Sequence, residues 1–395
     1  MLSAQATPIV RATLPVVGAA LGEITERFYT GMFTARPELL RDLFNRGNQA
    51  SGDQRRALAG SIAAFAGALL EHPDSRPDVM LGRIAHKHAS LGVTSEQYKI
   101  VHEHLFAAIV DVLGDAVTPE VAQAWDEVYW LMANALIALE SRLYEVAGVP
   151  EGEVRRPMEI VERHRQTADT VSFTLRHVDG RPTASFRPGQ YVSVRVELPD
   201  GARQIRQYSL SAAPGRPDWR ITVKRVDGDP AGEVSTWLHE HAPVGDTVEV
   251  SAPFGDLVLP EGDGPLLLAS AGIGSTPMLA MLDHLATTGS RRPVTVVHAD
   301  RSPADHAHRE ELLGLVDALP NASLHLWYEQ SGASEARPGR ADVTTLDLPE
   351  GVTAYLCGPL PFMRQVRGDL LSSGVAASDV HYEVFGPDLW LAGEN

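Results

Sequence analysis

A chain of 395 residues with 44% apolar side chains is long enough for about two or three domains, each with its own core. The formal net charge of −17 excludes nucleic acid and anionic membrane as partners, because a polyphosphate surface requires a basic face. The single cysteine, Cys357, excludes an internal disulfide framework and a cysteine-rich metal site. Met1 to Gly18 has neither a basic leader nor a continuous apolar run, and no later stretch approaches ~20 apolar residues. A cytoplasmic protein without a membrane span is expected.

Up to Pro150 the chain reads as helices joined by short loops. Leu14, Val17, Leu21, Ile24, Phe28 and Met32 recur at spacings of three and four, which predicts a long helix with one apolar face. Ser51-Gly52-Asp53 is an N-cap cluster for a helix that turns Leu58, Ile62, Phe65 and Leu69 inward. Gln54 lies one turn before Leu58 on that face, either reaching water from a fraying first turn or serving a polar group inside. A third helix, Val79 to Leu91, carries two histidines that periodicity separates. His88 shares a stripe with Ile84 and Leu91, whereas His86 lies about 200° round the axis and is expected to face solvent. A lone inward histidine is more often a hydrogen-bonded core residue than a ligand. Here Tyr98 follows in the next segment, and Glu140 interrupts the apolar face of the last helix between Leu136 and Leu143. A carboxylate in that position is costly unless paired, and an imidazole N–H is a suitable partner.

The charged stretch Glu151 to Arg156 ends at Pro157 and marks a boundary. Short strand candidates follow: Met158–Glu162, Thr170–Leu175, Tyr191–Val196, Ile205–Ser211, Trp219–Val226 and Thr247–Ser251, with one helix at Ser235–His241. Turn signals such as Asp179-Gly180, Pro188-Gly189 and Asp227-Gly228 separate them, a pattern that predicts an antiparallel barrel. Arg206 and Tyr208 project to one strand face, placing a guanidinium that forks onto phosphate beside a ring that suits a flat heterocycle. Ser209 points the other way unless the strand ends there. The same Arg-x-Tyr-Ser pattern occurs in ordinary half-buried strands. Gly232-Glu233-Val234-Ser235 reads as a helix start whose backbone N–H groups suit a pyrophosphate, or as a glycine turn with a serine cap.

From Gly264 the apolar strand candidates Leu266–Ala269, Val294–Ala299, Leu324–Trp327 and Ala354–Cys357 alternate with helices, which predicts a parallel sheet. The first strand runs into Ala271-Gly272-Ile273-Gly274-Ser275-Thr276-Pro277. Two glycines there admit a pyrophosphate and Pro277 suits the first helical turn, although the usual third glycine is missing. Taken alone, Cys357 reads as a buried structural thiol. Asp300 and Arg301 close the second strand with opposite preferences, one for a ribose diol and one for a 2′-phosphate, so NADH and NADPH both stay open.

The blocks Phe28-Tyr29-x-x-Met32-Phe33, Leu43-Phe44-Asn45, Gly52-Asp53-Gln54-Arg55, Ile84-Ala85-His86-Lys87-His88 and Glu96-Gln97-Tyr98-x-Ile100-Val101 resemble the globin domain of a flavohaemoglobin. Phe186 to Tyr191, Arg206 to Ser209 and Gly232 to Ser235 resemble the flavin domain of the ferredoxin-reductase superfamily. Gly272 to Pro277, Leu356-Cys357-Gly358-Pro359 and His381-Tyr382-Glu383-Val384-Phe385-Gly386-Pro387 resemble its nicotinamide domain. The whole chain is thus similar to the flavohaemoglobins that act as bacterial nitric oxide dioxygenases.

That resemblance implies a multidomain chain: an all-α globin over 1–150, an antiparallel β-barrel flavin domain over 151–261 and an α/β parallel-sheet nicotinamide-binding domain over 262–395. It implies heme b, FAD and NAD(P)H as cofactors, with His88 as the iron ligand, oriented by Tyr98 and Glu140. Tyr29, Gln54 and Leu58 would form the distal pocket and Phe44 would wedge against the porphyrin. Tyr191, Arg206, Gln207, Tyr208 and Ser209, with Gly232, Val234 and Ser235, would contact FAD. Gly272, Ile273, Gly274, Ser275, Thr276 and Pro277, with Cys357, Gly358 and Pro359, would hold the nicotinamide nucleotide. Glu383, Val384, Phe385, Gly386 and Pro387 would lie at the flavin, Phe385 covering it until nicotinamide enters, and Lys87 and Glu383 would sit at the haem and flavin edges. Ala231 stands where a second glycine is frequent, and Val384 where cysteine is often found.

The implied activity is oxidation of nitric oxide to nitrate by haem-bound dioxygen, with electrons passed from NAD(P)H through FAD. The alternatives are an NAD(P)H-dependent reductase of flavin, ferric chelates or quinones, and a haem-based oxygen or nitric oxide sensor or carrier. The expected partners are dioxygen, nitric oxide and NAD(P)H, with lipid as a further occupant that the apolar distal lining permits. The chain is expected to act as a monomer.

Overall fold

The computed structural model describes residues 1–330 and 336–390. The first part is helical: α1 (Ala6–Ala35), α2 (Pro37–Asp42), α3 (Arg46–Ala50), α4 (Asp53–Glu71), α5 (Asp78–Leu91), α6 (Ser95–Leu113) and α7 (Pro119–Ala147). Val10, Val17, Leu21, Ile24, Phe28 and Met32 form the buried stripe of α1, and Leu14 packs half-buried against it. Helix α4 starts at Asp53 within the expected cap cluster, with Gly52 as its N-cap. Gly52 adopts φ 78°, a left-handed geometry that disfavours any side chain, and only Ser51 Oγ helps, accepting from the Asp53 N–H at 3.3 Å. On the inner face of α4, Phe65 and Leu69 are buried, whereas Leu58 and Ile62 stay half-buried. A reciprocal capping box of Thr94 and Gln97 opens α6, and Thr118 with Pro119 opens α7. His86 and His88 are both half-buried, so burial does not separate them as their periodicity suggests.

An antiparallel sheet follows, built from β1 (Arg155–Arg165), β2 (Thr170–His177), β3 (Tyr191–Glu197), β4 (Arg203–Ser209), β5 (Trp219–Lys224) and β6 (Thr247–Ser251), with α8 (Glu233–His241) before β6. Its order is β4-β3-β6-β1-β2-β5. An antiparallel bridge between Leu210 and Ile221 joins the chain beyond β4 to β5, linking the two ends of that order into a barrel. Strand β1 is much longer than the expected Met158–Glu162. Only Met158 and Ile160 are buried along it, so its polar remainder carries no hydrophobic signal.

The last part is a parallel sheet of β7 (Leu266–Ala271), β8 (Val294–Asp300), β9 (Ala322–Tyr328), β10 (Arg337–Pro338), β11 (Thr353–Cys357) and β12 (Val380–Glu383). Its helices are α9 (Ser275–Thr287), α10 (Arg309–Asp317) and α11 (Leu360–Ser372). The order β10-β9-β8-β7-β11-β12 places the topological switch between β7 and β11, where doubly wound sheets bind ligands. The chain falls into two compact units. One comprises Met1–Arg155, Arg195–Arg206 and the chain from Gly386; the other comprises Arg156–Val194 and Gln207–Phe385. No helix among the described residues is long and apolar enough to cross a membrane.

Candidate functional site

In the helical unit, His88 lies on the last turn of α5 and its Nδ1 stands 2.9 Å from Glu140 Oε1 and 2.9 Å from Tyr98 Oη. Tyr98 Oη donates to the same Glu140 oxygen at 2.5 Å. Glu140 is 2% exposed, so this carboxylate is buried and accepts from both neighbours. The network assigns the Nδ1 proton to the carboxylate side and leaves the Nε2 lone pair for a ligand. Burial, reinforced by Glu140, drives the Tyr98 phenol far above its ordinary range and keeps it a donor. Tyr129 Oη in turn fixes the Tyr98 backbone by donating to its carbonyl at 2.5 Å.

Tyr29 is buried in an aromatic group, stacked on Phe33 at 5.6 Å and edge-on to Phe44 at 5.9 Å. Burial pushes its phenol up, opposed by the nearby amides of Gln54 and Gln49. Gln49 Nε2 is buried and makes no hydrogen bond of regular geometry, so its effect on Tyr29 is one of proximity. Phe44 and Leu58 are half-buried apolar groups on the edge of the same core. Lys87, one residue before His88, donates to the Gly386 carbonyl, and Arg83 on the preceding turn of α5 pairs with Asp388 at 3.1 Å.

Strand β4 ends at Ser209, which meets the condition for its hydroxyl to leave the strand alternation, and Ser209 Oγ is buried without a hydrogen-bond partner. Arg206 and Tyr208 are half-buried on that strand, and Gln207 Nε2 donates to Ser193 Oγ at 3.0 Å. Tyr191 pairs with Phe254 through both backbone bonds, at 2.8 and 2.9 Å. Helix α8 begins at Glu233, two residues before the expected start, with Gly232 as its cap. A Cβ on Gly232 would come within 2.6 Å of Ser235 Oγ, which itself donates to the Gly232 carbonyl at 3.2 Å. The Ser235 hydroxyl is thus engaged within the turn, which leaves the first-turn backbone N–H groups as the donors an anion could use, and Val234 is buried.

At the switch point, Gly272-Ile273-Gly274 forms a 3-10 turn after β7 and leads into α9. A Cβ on Gly274 would lie 2.3 Å from the Cys357 carbonyl oxygen and 2.7 Å from the Gly358 nitrogen, so only glycine lets the two backbones meet. Thr276 Oγ1 turns inward to the Ile273 carbonyl at 3.0 Å, and Pro277 is buried in the helix. Ser275 Oγ is buried without a partner. Cys357 ends β11 with no exposure, its thiol held protonated by burial and by Glu383, and Pro359 follows as the cap of α11. Glu383 closes β12; beyond it Val384 is half-buried, the Phe385 ring is 48% exposed, and Pro387 is buried.

Residues 26–136 match the Globin family, 157–258 the Oxidoreductase FAD-binding domain and 268–368 the Oxidoreductase NAD-binding domain. A flavohemoprotein of Bordetella pertussis is 44% identical, covering 98% of this chain and 99% of its own. The chain belongs to the flavohemoprotein family. The flavohemoprotein of Deinococcus radiodurans is 41% identical, with 98% of each chain covered. The crystal structure of a flavohemoglobin from Malassezia yamatoensis with bound FAD and heme matches at TM-score 0.90 and 40% identity, over 98% of this chain and all (100%) of that one. The FAD/NAD-binding domain of a nitric oxide dioxygenase from Vibrio cholerae matches at TM-score 0.57 and 38% identity, over 60% of this chain and 100% of that one.

As a flavohemoprotein the chain joins a globin to a reductase and passes electrons from NAD(P)H through FAD to haem. Its residues fit those groups. With Nδ1 committed to Glu140, His88 keeps Nε2 as an atom that could ligate the iron of a haem. Ser209 Oγ and Ser275 Oγ are buried polar atoms of the kind a flavin and a dinucleotide satisfy. Gln49, near Tyr29, and Gln204, bonded to Arg206, are polar neighbours of those residues that no charge or hydrophobic pattern singles out. For Gln204 a signal existed, since it lies two residues before Arg206 and alternates onto the same strand face.

Proposed function

We propose that this flavohemoprotein is a nitric oxide dioxygenase, oxidising nitric oxide with dioxygen to nitrate at the expense of NAD(P)H. The observation that carries this reading is the single buried carboxylate oxygen of Glu140 that faces both His88 Nδ1 and Tyr98 Oη. Bound haem would supply the redox-active iron, and bound FAD would divide the nicotinamide electron pair into single electrons. His88 would hold the iron through Nε2, and Glu140, drawing on the Nδ1 proton, would make the imidazole a stronger electron donor, which favours activation over storage. Tyr29 stays protonated because it is buried, so it would donate a hydrogen bond into the pocket, with Gln54 orienting it and Leu58 and Phe44 excluding water. The name of the 38% identical Vibrio cholerae relative supports the same reading.

In the reductase, Tyr191, Arg206, Gln207, Tyr208 and Ser209 would seat FAD, and the Gly272 to Pro277 turn with Cys357, Gly358 and Pro359 would seat the nucleotide. The exposed Phe385 ring would cover the flavin until nicotinamide displaces it. We assign 1–150 to haem, 151–261 to FAD and 262–395 to NAD(P)H. The decisive experiment supplies purified holoprotein with NADH, dioxygen and nitric oxide. Nitrate formed over many turnovers per haem is expected. NAD(P)H oxidation that ignores nitric oxide would identify a plain reductase, and nitrate limited to one equivalent per haem a sensor or carrier. His88→Ala should lose the Soret band and nitrate formation while keeping flavin absorbance.

A further inference from the structure

Gln204 has no surface exposure, yet it is a polar residue on β4, on the face shared by Arg206 and Tyr208. Its amide is directed at the turn between α2 and α3, within the same compact unit. Gln204 Nε2 lies 3.2, 3.0 and 3.1 Å from the carbonyl oxygens of Leu40, Arg41 and Phe44. Gln204 Oε1 accepts from the Arg46 backbone N–H at 3.2 Å and from Arg206 Nη1 at 3.2 Å. Leu40 and Arg41 belong to the last turn of α2, where carbonyls lack intrahelical donors, and Arg46 begins α3, where an N–H lacks an intrahelical acceptor. One side chain thus satisfies both ends of the turn that carries Phe44. Exposed ion pairs flank it, Arg203 with Asp42 at 3.4 Å and Arg46 with Asp200 at 2.6 Å, and these are too solvated to define a position alone.

We propose that Gln204 is a positioning residue: by locking the Phe44 turn to the strand that bears Arg206, it makes the haem-pocket wall and the FAD-clamping arginine one rigid piece, and full-rate electron transfer from reduced flavin to ferric haem depends on that lock. The proposal rests on the reading of Phe44 and Arg206 as cofactor contacts. It is independent of whether nitric oxide is the substrate.

The test uses full-length holoprotein with Gln204→Leu, which removes all five contacts, and Gln204→Glu, which keeps the shape and an acceptor oxygen but loses the N–H donors. Under anaerobic stopped flow, flavin reduction by NADH should stay within about two-fold of the parent while haem reduction slows roughly ten-fold or more. The C–O stretching band of the ferrous carbonyl complex, a spectroscopic report on the distal wall, should shift or split in both variants. A merely structural role would lower thermal stability without separating the two rates or moving the band, and that result overturns the proposal. If the leucine variant does not fold, the glutamate variant decides alone. Phe44→Leu is the reference. A band shift there with none in the Gln204 variants overturns the lock and leaves Phe44 in the pocket, whereas no shift in Phe44→Leu removes Phe44 from the haem and the proposal with it.

Discussion

The Tyr98 hydroxyl donates to Glu140 Oε1 at 2.5 Å, the same oxygen that stands 2.9 Å from His88 Nδ1. Two donors on one buried oxygen fix the imidazole plane more firmly than either would alone, because each restricts the rotation that the other leaves free. Glu140→Gln preserves the shape but replaces a charge-assisted acceptor with a neutral amide. The iron–imidazole stretching frequency should fall in this variant, and turnover should drop roughly ten- to a hundred-fold, the usual range for loss of an outer-shell partner. An unchanged frequency would remove Glu140 from the proximal network.

Tyr29 meets Phe33 and Phe44 through its ring face and edge, and these contacts survive removal of the hydroxyl. Tyr29→Phe therefore isolates the hydrogen bond from the packing. Losing one donor in a buried pocket costs about 1–1.5 kcal/mol, so dioxygen should leave roughly ten-fold faster in flash-photolysis experiments. An unaltered off-rate would show that the hydroxyl does not reach the ligand.

The sequence made much of this legible, and the parts it hid have a common physical cause. Helix α1 and strands β7, β8 and β11 declare themselves because their buried residues follow one period without interruption. Glu140 stood out as a carboxylate on an apolar face, which requires a partner wherever it occurs. By contrast β10 has two exposed residues and β1 only two buried apolar ones, so hydrophobic patterning cannot find their limits. Gln204 and Gln49 are harder to read, because an uncharged amide gives no hydrophobic or charge signal of its own and the partners of Gln204 lie more than a hundred residues away; only its alternation with Arg206 hints at it. The cap cluster Ser51-Gly52-Asp53 is legible, but which of the three caps the helix is decided by the backbone conformation of Gly52, which composition does not carry.

Gly274 allows a direct test of the nicotinamide turn. Adding a Cβ would place carbon 2.3 Å from the Cys357 carbonyl, and the obstacle is backbone on both sides. Gly274→Ala must therefore separate the β7 turn from β11 at the switch point. A displacement on the order of 1 Å at a catalytic site costs about a hundred-fold, so flavin reduction by NADH should slow by about that factor. Haem content and carbon monoxide binding should not change. Flavin reduction at the parental rate would place the nucleotide elsewhere.

Glu311 offers a pH signature in the reductase. Burial alone would push its carboxyl up, but bonds from His308 Nδ1 at 2.8 Å and a two-pronged contact from Arg220 at 2.7 and 3.0 Å outweigh it and hold the carboxyl at about 2, below the ordinary 4.5. A folded value below the unfolded one means that the ionised form stabilises the fold, fully above about pH 4.5 and progressively less as pH falls toward 2. The shift from 4.5 to about 2 corresponds to about 3 kcal/mol at most, reduced toward 1–2 kcal/mol because the side chain is 30% exposed. Glu311→Gln should therefore lower the temperature of FAD release, followed by flavin fluorescence, by a constant amount near neutrality. That gap should close as the pH is lowered through the acid range. A gap that stays the same width down to about pH 3 would mean that the carboxylate charge on Glu311 does not stabilise the reductase.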